Sequence, residues 1–95
     1  MIRLEYANNH KEKDKYHIYH GNKKLDAIIV VSHITKNISL ERFASLIDFS
    51  DRDTILYPIF KLVDEHIISE YKNYSMRDVH LIGTSEYLKW KNNNI

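Results

Sequence analysis

Residues 10–24, HKEKDKYHIYHGNKK, interleave five lysines and three histidines with Tyr16 and Tyr19, against only Glu12 and Asp14. Ammonium groups neutralise phosphates, and aromatic rings on a strand stack on unpaired bases. Lys13, Lys15, Tyr16, His17, Tyr19, Lys23 and Lys24 are therefore candidate nucleic-acid or nucleotide contacts. The alternative use of exposed lysines here is to protect a sheet edge from aggregation.

Carboxylates gather elsewhere. From Ser39 to Glu70 three cations face seven carboxylates, a net −4, while residues 1–38 carry +3 and residues 71–95 carry +2. A chain of net charge +1 thus has a basic, aromatic end and an acidic one. Such polarity suits recognition of a charged partner, because complementary fields steer encounter. Asp48, Asp51, Asp53, Asp64, Glu65 and Glu70 form a candidate acidic face for a basic partner surface. Tyr71, Tyr74, Tyr87 and Trp90 fall in the final quarter and are candidate aromatic anchors, in one patch or as a lid on the core.

Metal and catalytic readings are poorly served. His17-x-x-His20 on a strand sends its rings to opposite faces. Asp64-Glu65-His66 spreads around a helix, and Asp51-x-Asp53 lacks the glycine and distal glutamate of a calcium loop. His33 and His80 stand alone. No Gly-rich phosphate loop, nucleophile elbow or His-Glu-x-x-His motif occurs, and Glu86-x-x-Lys89 near Asp78 lacks nuclease spacing. With no cysteine, thiol catalysis, disulfides and thiolate metal sites are excluded. The expectation is a protein without enzymatic activity, cofactor or metal.

The positioning elements follow from periodicity. Ile2, Leu4 and Tyr6 alternate with polar residues, as in a half-buried strand. Lys15–His20 alternates again, Gly21-Asn22 signals a tight hairpin, and Leu25–Ser32 is a β-branched strand of interior character. Ser39 reads as a helix N-cap, with Ile38 stapled onto Phe43 and an apolar face of Leu40, Phe43, Ala44 and Ile47. Ser50 starts a second helix with Asp53 closing a capping box. Its stripe runs through Leu56, Phe60, Val63, Ile67, Tyr71 and Tyr74. Pro58 must kink this helix or mark its first turn, which would leave Thr54–Tyr57 irregular or extended.

Asp78–Ile82 reads as a fourth strand ended by Gly83, with Thr84 or Ser85 capping a short terminal helix; a hairpin strand over Glu86–Trp90 is the alternative. The predicted fold is α+β in a single domain, 1–95. It comprises a three-stranded antiparallel meander, two helices packed on one face, a fourth strand and a short C-terminal helix, β-β-β-α-α-β-α.

No long apolar run predicts a secretory leader or membrane span, which points to the cytoplasm. Ile, Lys, Asn and Tyr supply 38 of 95 residues, amino acids of A/T-rich codons. Together these features suggest a small non-enzymatic binding protein of a phage or mobile element, acting in the host cytoplasm. Its partner would be a larger host protein or nucleoprotein, such as a defence nuclease, whose surface it blocks. A nucleic-acid binder using the 10–24 hairpin is the second expectation. A homo-oligomeric accessory subunit, such as a homodimer paired through an exposed strand or the C-terminal aromatics, is the third.

Overall fold

The computed structural model describes residues 1–7, 11–76 and 80–93. Strands β1 (Ile2–Ala7), β2 (Lys13–His20), β3 (Lys23–Ser32) and β4 (Asn37–Glu41) form one antiparallel sheet in the order β1-β2-β3-β4. The predicted meander is therefore present, and β2 turns into β3 through Gly21, whose φ of +62° suits a residue without Cβ. Alternation buries Ile18, Ala27, Ile29, Val31, Ile38 and Leu40 on one face of the sheet.

The helices cover that face. They are α1 (Ala44–Phe49), α2 (Tyr57–Leu62) and α3 (Ile82–Asn93), with π-helical turns Arg52–Leu56 and Val63–Ile68 on either side of α2. Phe43, Leu46, Ile47, Leu56, Ile59, Phe60, Val63, Ile67 and Tyr87 complete the core. Each large apolar side chain removed from water contributes about 1.5–3 kcal/mol. The α+β architecture, a sheet with helices on one face and a C-terminal helix, matches the expectation. No helix among the described residues is long and apolar enough to cross a membrane.

The position of the fourth strand differs. Asn37–Glu41 pairs with β3, Val31 opposite Ile38 and Ile29 opposite Leu40, so the order is four strands followed by helices. Ser39 caps nothing; its hydroxyl donates to Glu41 Oε2 at 3.0 Å. Ile38 and Leu40 satisfy a period of two as well as helical spacing, and pairing beside an apolar β3 decides between them. The chain then turns at Arg42, in left-handed backbone at φ +63°, and α1 starts after Phe43 without a side-chain cap. Of the predicted strand over residues 78–82, Asp78 and Val79 lie outside the described residues, and Ile82 begins α3.

Gly83 ends no strand. It is buried within α3, where a Cβ would meet the Leu40 carbonyl oxygen and Phe43 Cβ at 2.8 Å. Thr84 is likewise no cap: its buried Oγ1 accepts the Leu40 N–H at 3.1 Å and locks α3 to β4. The Glu86–Trp90 alternative is helical.

The second helical run starts one residue later than expected. Asp51, not Ser50, is its cap, accepting from the Asp53 and Thr54 N–H groups at 2.8 and 3.1 Å. Pro58 sits in the first turn of α2. The residues before it are neither irregular nor extended: 52–56 wind as a π turn, Leu56 N–H reaching the Asp51 carbonyl at 3.2 Å. The predicted stripe is buried at Leu56, Phe60, Val63 and Ile67.

Candidate functional site

Burying the core brings six polar and aromatic side chains together where β1, β2, the β3–β4 turn and segment 71–74 meet. Asp14 lies at the centre, 8% exposed. Its Oδ1 accepts from Tyr6 Oη at 2.9 Å; its Oδ2 accepts from Tyr71 Oη at 2.8 Å and His33 Nε2 at 2.9 Å. Tyr71 has one hydroxyl hydrogen and gives it to Asp14, so Tyr16 donates to Tyr71 Oη across 2.8 Å. An ionised carboxylate only accepts, so His33 Nε2 carries a hydrogen. In the neutral ring, Nδ1 then accepts from Tyr74 Oη at 2.7 Å.

Burial alone would raise the Asp14 carboxyl. The donors Tyr71, Tyr6 and His33 outweigh it and hold the group below its ordinary range. Burial, reinforced by the hydrogen bond that Tyr71 donates to Asp14, pushes the Tyr71 phenol far up. Burial and the charges of Glu70 and Asp14 also raise Tyr16. The cluster is a fixed carboxylate ringed by donors, which ties segment 71–74 to the sheet. Ser75 adds main-chain bonds to Lys36 and Ile38 at 3.0 Å.

The four predicted C-terminal aromatics do not gather in one patch. Tyr71 and Tyr74 belong to the Asp14 cluster, their rings 5.4 Å apart. Tyr87 and Trp90 pack on Phe60 at 5.7 and 5.9 Å, and Tyr87 is buried. Tyr87 belongs to the core, and Tyr71, Tyr74 and Trp90 pack against it half-buried.

The acidic set also divides. Asp64 is engaged by Lys91 and by Tyr87 Oη at 2.9 Å, and those hydrogen bonds, led by Lys91, hold its carboxyl low. Glu65 faces Lys61 at 4.0 Å, and Glu70 lines a hollow with Tyr6, Tyr16 and Tyr71. Asp48, Asp51 and Asp53 stay exposed around the end of α1. Among them stands Phe49, 88% exposed. The corner beneath it is fixed, because the Ser50 N–H and hydroxyl both bond the Leu46 carbonyl and Asp51 caps the next turn. Phe49 falls off the Leu40, Phe43 and Ile47 spacing, a signal that could have singled it out.

The basic set lies mostly on the sheet face opposite the helices. Register places Lys13, Lys15, His17, Tyr19 and Lys24 there, with Ile28 and Val30. Tyr16 points to the core side, into the Asp14 cluster, and Lys23 pairs with His20 on that side too. Arg3 stacks on Tyr19, 4.3 Å from the ring centre. The face also carries Glu5, paired with Arg3 at 3.0 Å, and Glu41; Asp26 pairs with Arg42 nearby at 2.9 Å. It is mixed in sign.

Among the described residues no group of three or more His, Asp or Glu side chains could hold a metal ion. Compared with family models, curated proteins and solved structures, the chain matches none at a significant level.

Proposed function

We propose that this chain is a small non-enzymatic binding protein that occupies a surface of a larger macromolecule. The observation that carries the reading is Phe49. A large apolar ring 88% exposed, on a corner held by hydrogen bonds to the Leu46 carbonyl, is area that a covering partner would remove from water. Asp48, Asp51 and Asp53 around it would steer it to a basic rim and reject acidic surfaces. The bias towards Ile, Lys, Asn and Tyr, amino acids of A/T-rich codons, supports a phage or mobile-element source, with a host defence protein or nucleoprotein as the blocked partner.

Affinity capture from bacterial host lysate, with and without nuclease, tests this. The expected result is a protein partner retained after nuclease treatment. A catch that vanishes with nuclease would contradict it.

A second reading is favoured by strand register, which collects Lys13, Lys15, His17, Tyr19 and Lys24 on one face. That face suits a single nucleic-acid strand, although Glu5 and Glu41 beside it oppose phosphates. Binding of a single-stranded oligonucleotide should then weaken steeply with salt. Affinity independent of salt would exclude it.

A further inference from the structure

Beside the Asp14 cluster lies a hollow of about 430 Å³, lined by Tyr6, Asp14, Tyr16, Glu70 and Tyr71. Its walls are held in place. Tyr16 and Tyr71 are joined hydroxyl to hydroxyl at 2.8 Å, and Tyr71 is bonded to Asp14 at 2.8 Å. The Tyr6 ring stands edge-on to Tyr16, 5.4 Å between centres. No lysine, arginine or histidine is among the described residues that line this space.

Its acceptors are not used up. An ionised carboxylate has about four acceptor positions. Asp14, 8% exposed, takes one donor on Oδ1 and two on Oδ2, so a position on Oδ1 stays open. Tyr16 donates to Tyr71, and its oxygen accepts from no group among the described residues. Glu70 is exposed and enters no hydrogen bond or ion pair among the described residues. Its charge nonetheless reaches the Tyr16 phenol.

Two carboxylates and a tyrosine-lined wall, with no cation of the chain between them, make a place for a cation. Ring faces attract cations through their quadrupole, and a half-buried setting strengthens the pull of Asp14. We propose that the hollow binds the guanidinium of an arginine side chain presented by a polypeptide. A guanidinium is planar and stacks on tyrosyl rings. Its N–H donors suffice for a paired contact with Glu70 and further bonds to the Tyr16 and Asp14 oxygens. A lysine ammonium is a compact, strongly hydrated charge that gains less from the rings. A quaternary ammonium has no hydrogen to give to these acceptors. A free amino acid would bring its own carboxylate beside Asp14 and Glu70, whereas the amides flanking an arginine within a chain are uncharged. Arg3 and His66 line the adjoining hollow, but Arg3 is already held by Glu5 at 3.0 Å and by the Tyr19 ring. The site shares no residue with the Phe49 corner.

Nuclear magnetic resonance titration of the whole chain with Nα-acetyl-argininamide tests the assignment. Saturable shifts centred on Tyr16, Glu70 and Tyr71 are expected, with a dissociation constant on the order of 1 mM for so small a ligand. Nα-acetyl-lysinamide, tetramethylammonium and free arginine should each bind at least about fivefold more weakly. Glu70→Gln should weaken binding of the capped arginine at least about tenfold. Glu65→Gln removes an equal charge from the preceding π turn and should leave binding within about twofold of native. Circular dichroism confirms that both variants are folded; a Glu70 variant that is not is replaced by Glu70→Ala. Shifts that do not saturate, or that fall elsewhere, would overturn the proposal. So would capped lysine, tetramethylammonium or free arginine binding as tightly as capped arginine. A folded Glu70 variant with native affinity, or one matched in its loss by Glu65→Gln, would overturn it too.

Discussion

His33 Nε2 donates to Asp14 Oδ2 at 2.9 Å, joining the β3–β4 turn to β2 through a carboxylate that is almost fully buried. Tyr6 and Tyr71 complete the ring of donors. This contact determines how the fold should respond to acid.

The Asp14 and Asp64 carboxyls titrate below their ordinary value in the folded chain. On acidification the unfolded chain takes up protons first. The stability these groups contribute is thus fully present above about pH 4 and is lost as pH falls through the lower folded values. Urea denaturation at stepped pH should show that loss, and Asp14→Asn should flatten it. A native-like acid dependence in Asp14→Asn would show that the cluster is not its source.

Tyr71→Phe removes the hydroxyl that links Tyr16 to Asp14 and leaves polar groups in a half-buried site. It should cost about 1–3 kcal/mol, read from the denaturation midpoint at neutral pH. Segment 71–74 should also become more open to amide exchange, since the variant loses the Tyr71–Asp14 bond and leaves the segment held to this cluster through the Tyr74–His33 bond.

Gly83→Ala tests the seam between α3 and β4. Helix propensity favours alanine by about 1 kcal/mol. The added Cβ would stand 2.8 Å from a main-chain oxygen and from Phe43, neither of them the end of a flexible side chain. Destabilisation of about 1–3 kcal/mol is expected, as for other overpacked sites. A stabilised variant would mean that β4 and α3 can move apart freely.

The sequence made the first three strands legible because their signals are local: Ile2, Leu4 and Tyr6 alternate, and Gly21-Asn22 lies between β-prone runs. Asn37–Glu41 was misleading because Ile38, Leu40, Phe43 and Ile47 satisfy both a strand followed by a helix and one longer helix. Only the neighbouring β3 resolves that ambiguity. The Asp14 cluster was not legible, since Tyr6, Asp14, His33 and Tyr71 belong to separate segments and meet only when the core forms. Asp64 looked like a free surface charge, because Lys91 lies 27 residues away. The basic composition of residues 10–24 is plain in the sequence, yet the direction of Tyr16 depends on which face the helices cover.

Phe49 is the proposed contact residue. Calorimetric titration of the nuclease-resistant captured partner with the native chain, Phe49→Ala and a K13E/K15E/K24E variant tests it directly. Truncating so exposed a ring should leave folding stability within about 0.5 kcal/mol of native. Partner affinity should fall by at least about 30-fold, the size of a binding hot spot, while the lysine variant should bind almost as the native chain does. Unchanged affinity for Phe49→Ala, with binding lost in the lysine variant, would contradict a contact through Phe49 and move it to the open face of the sheet.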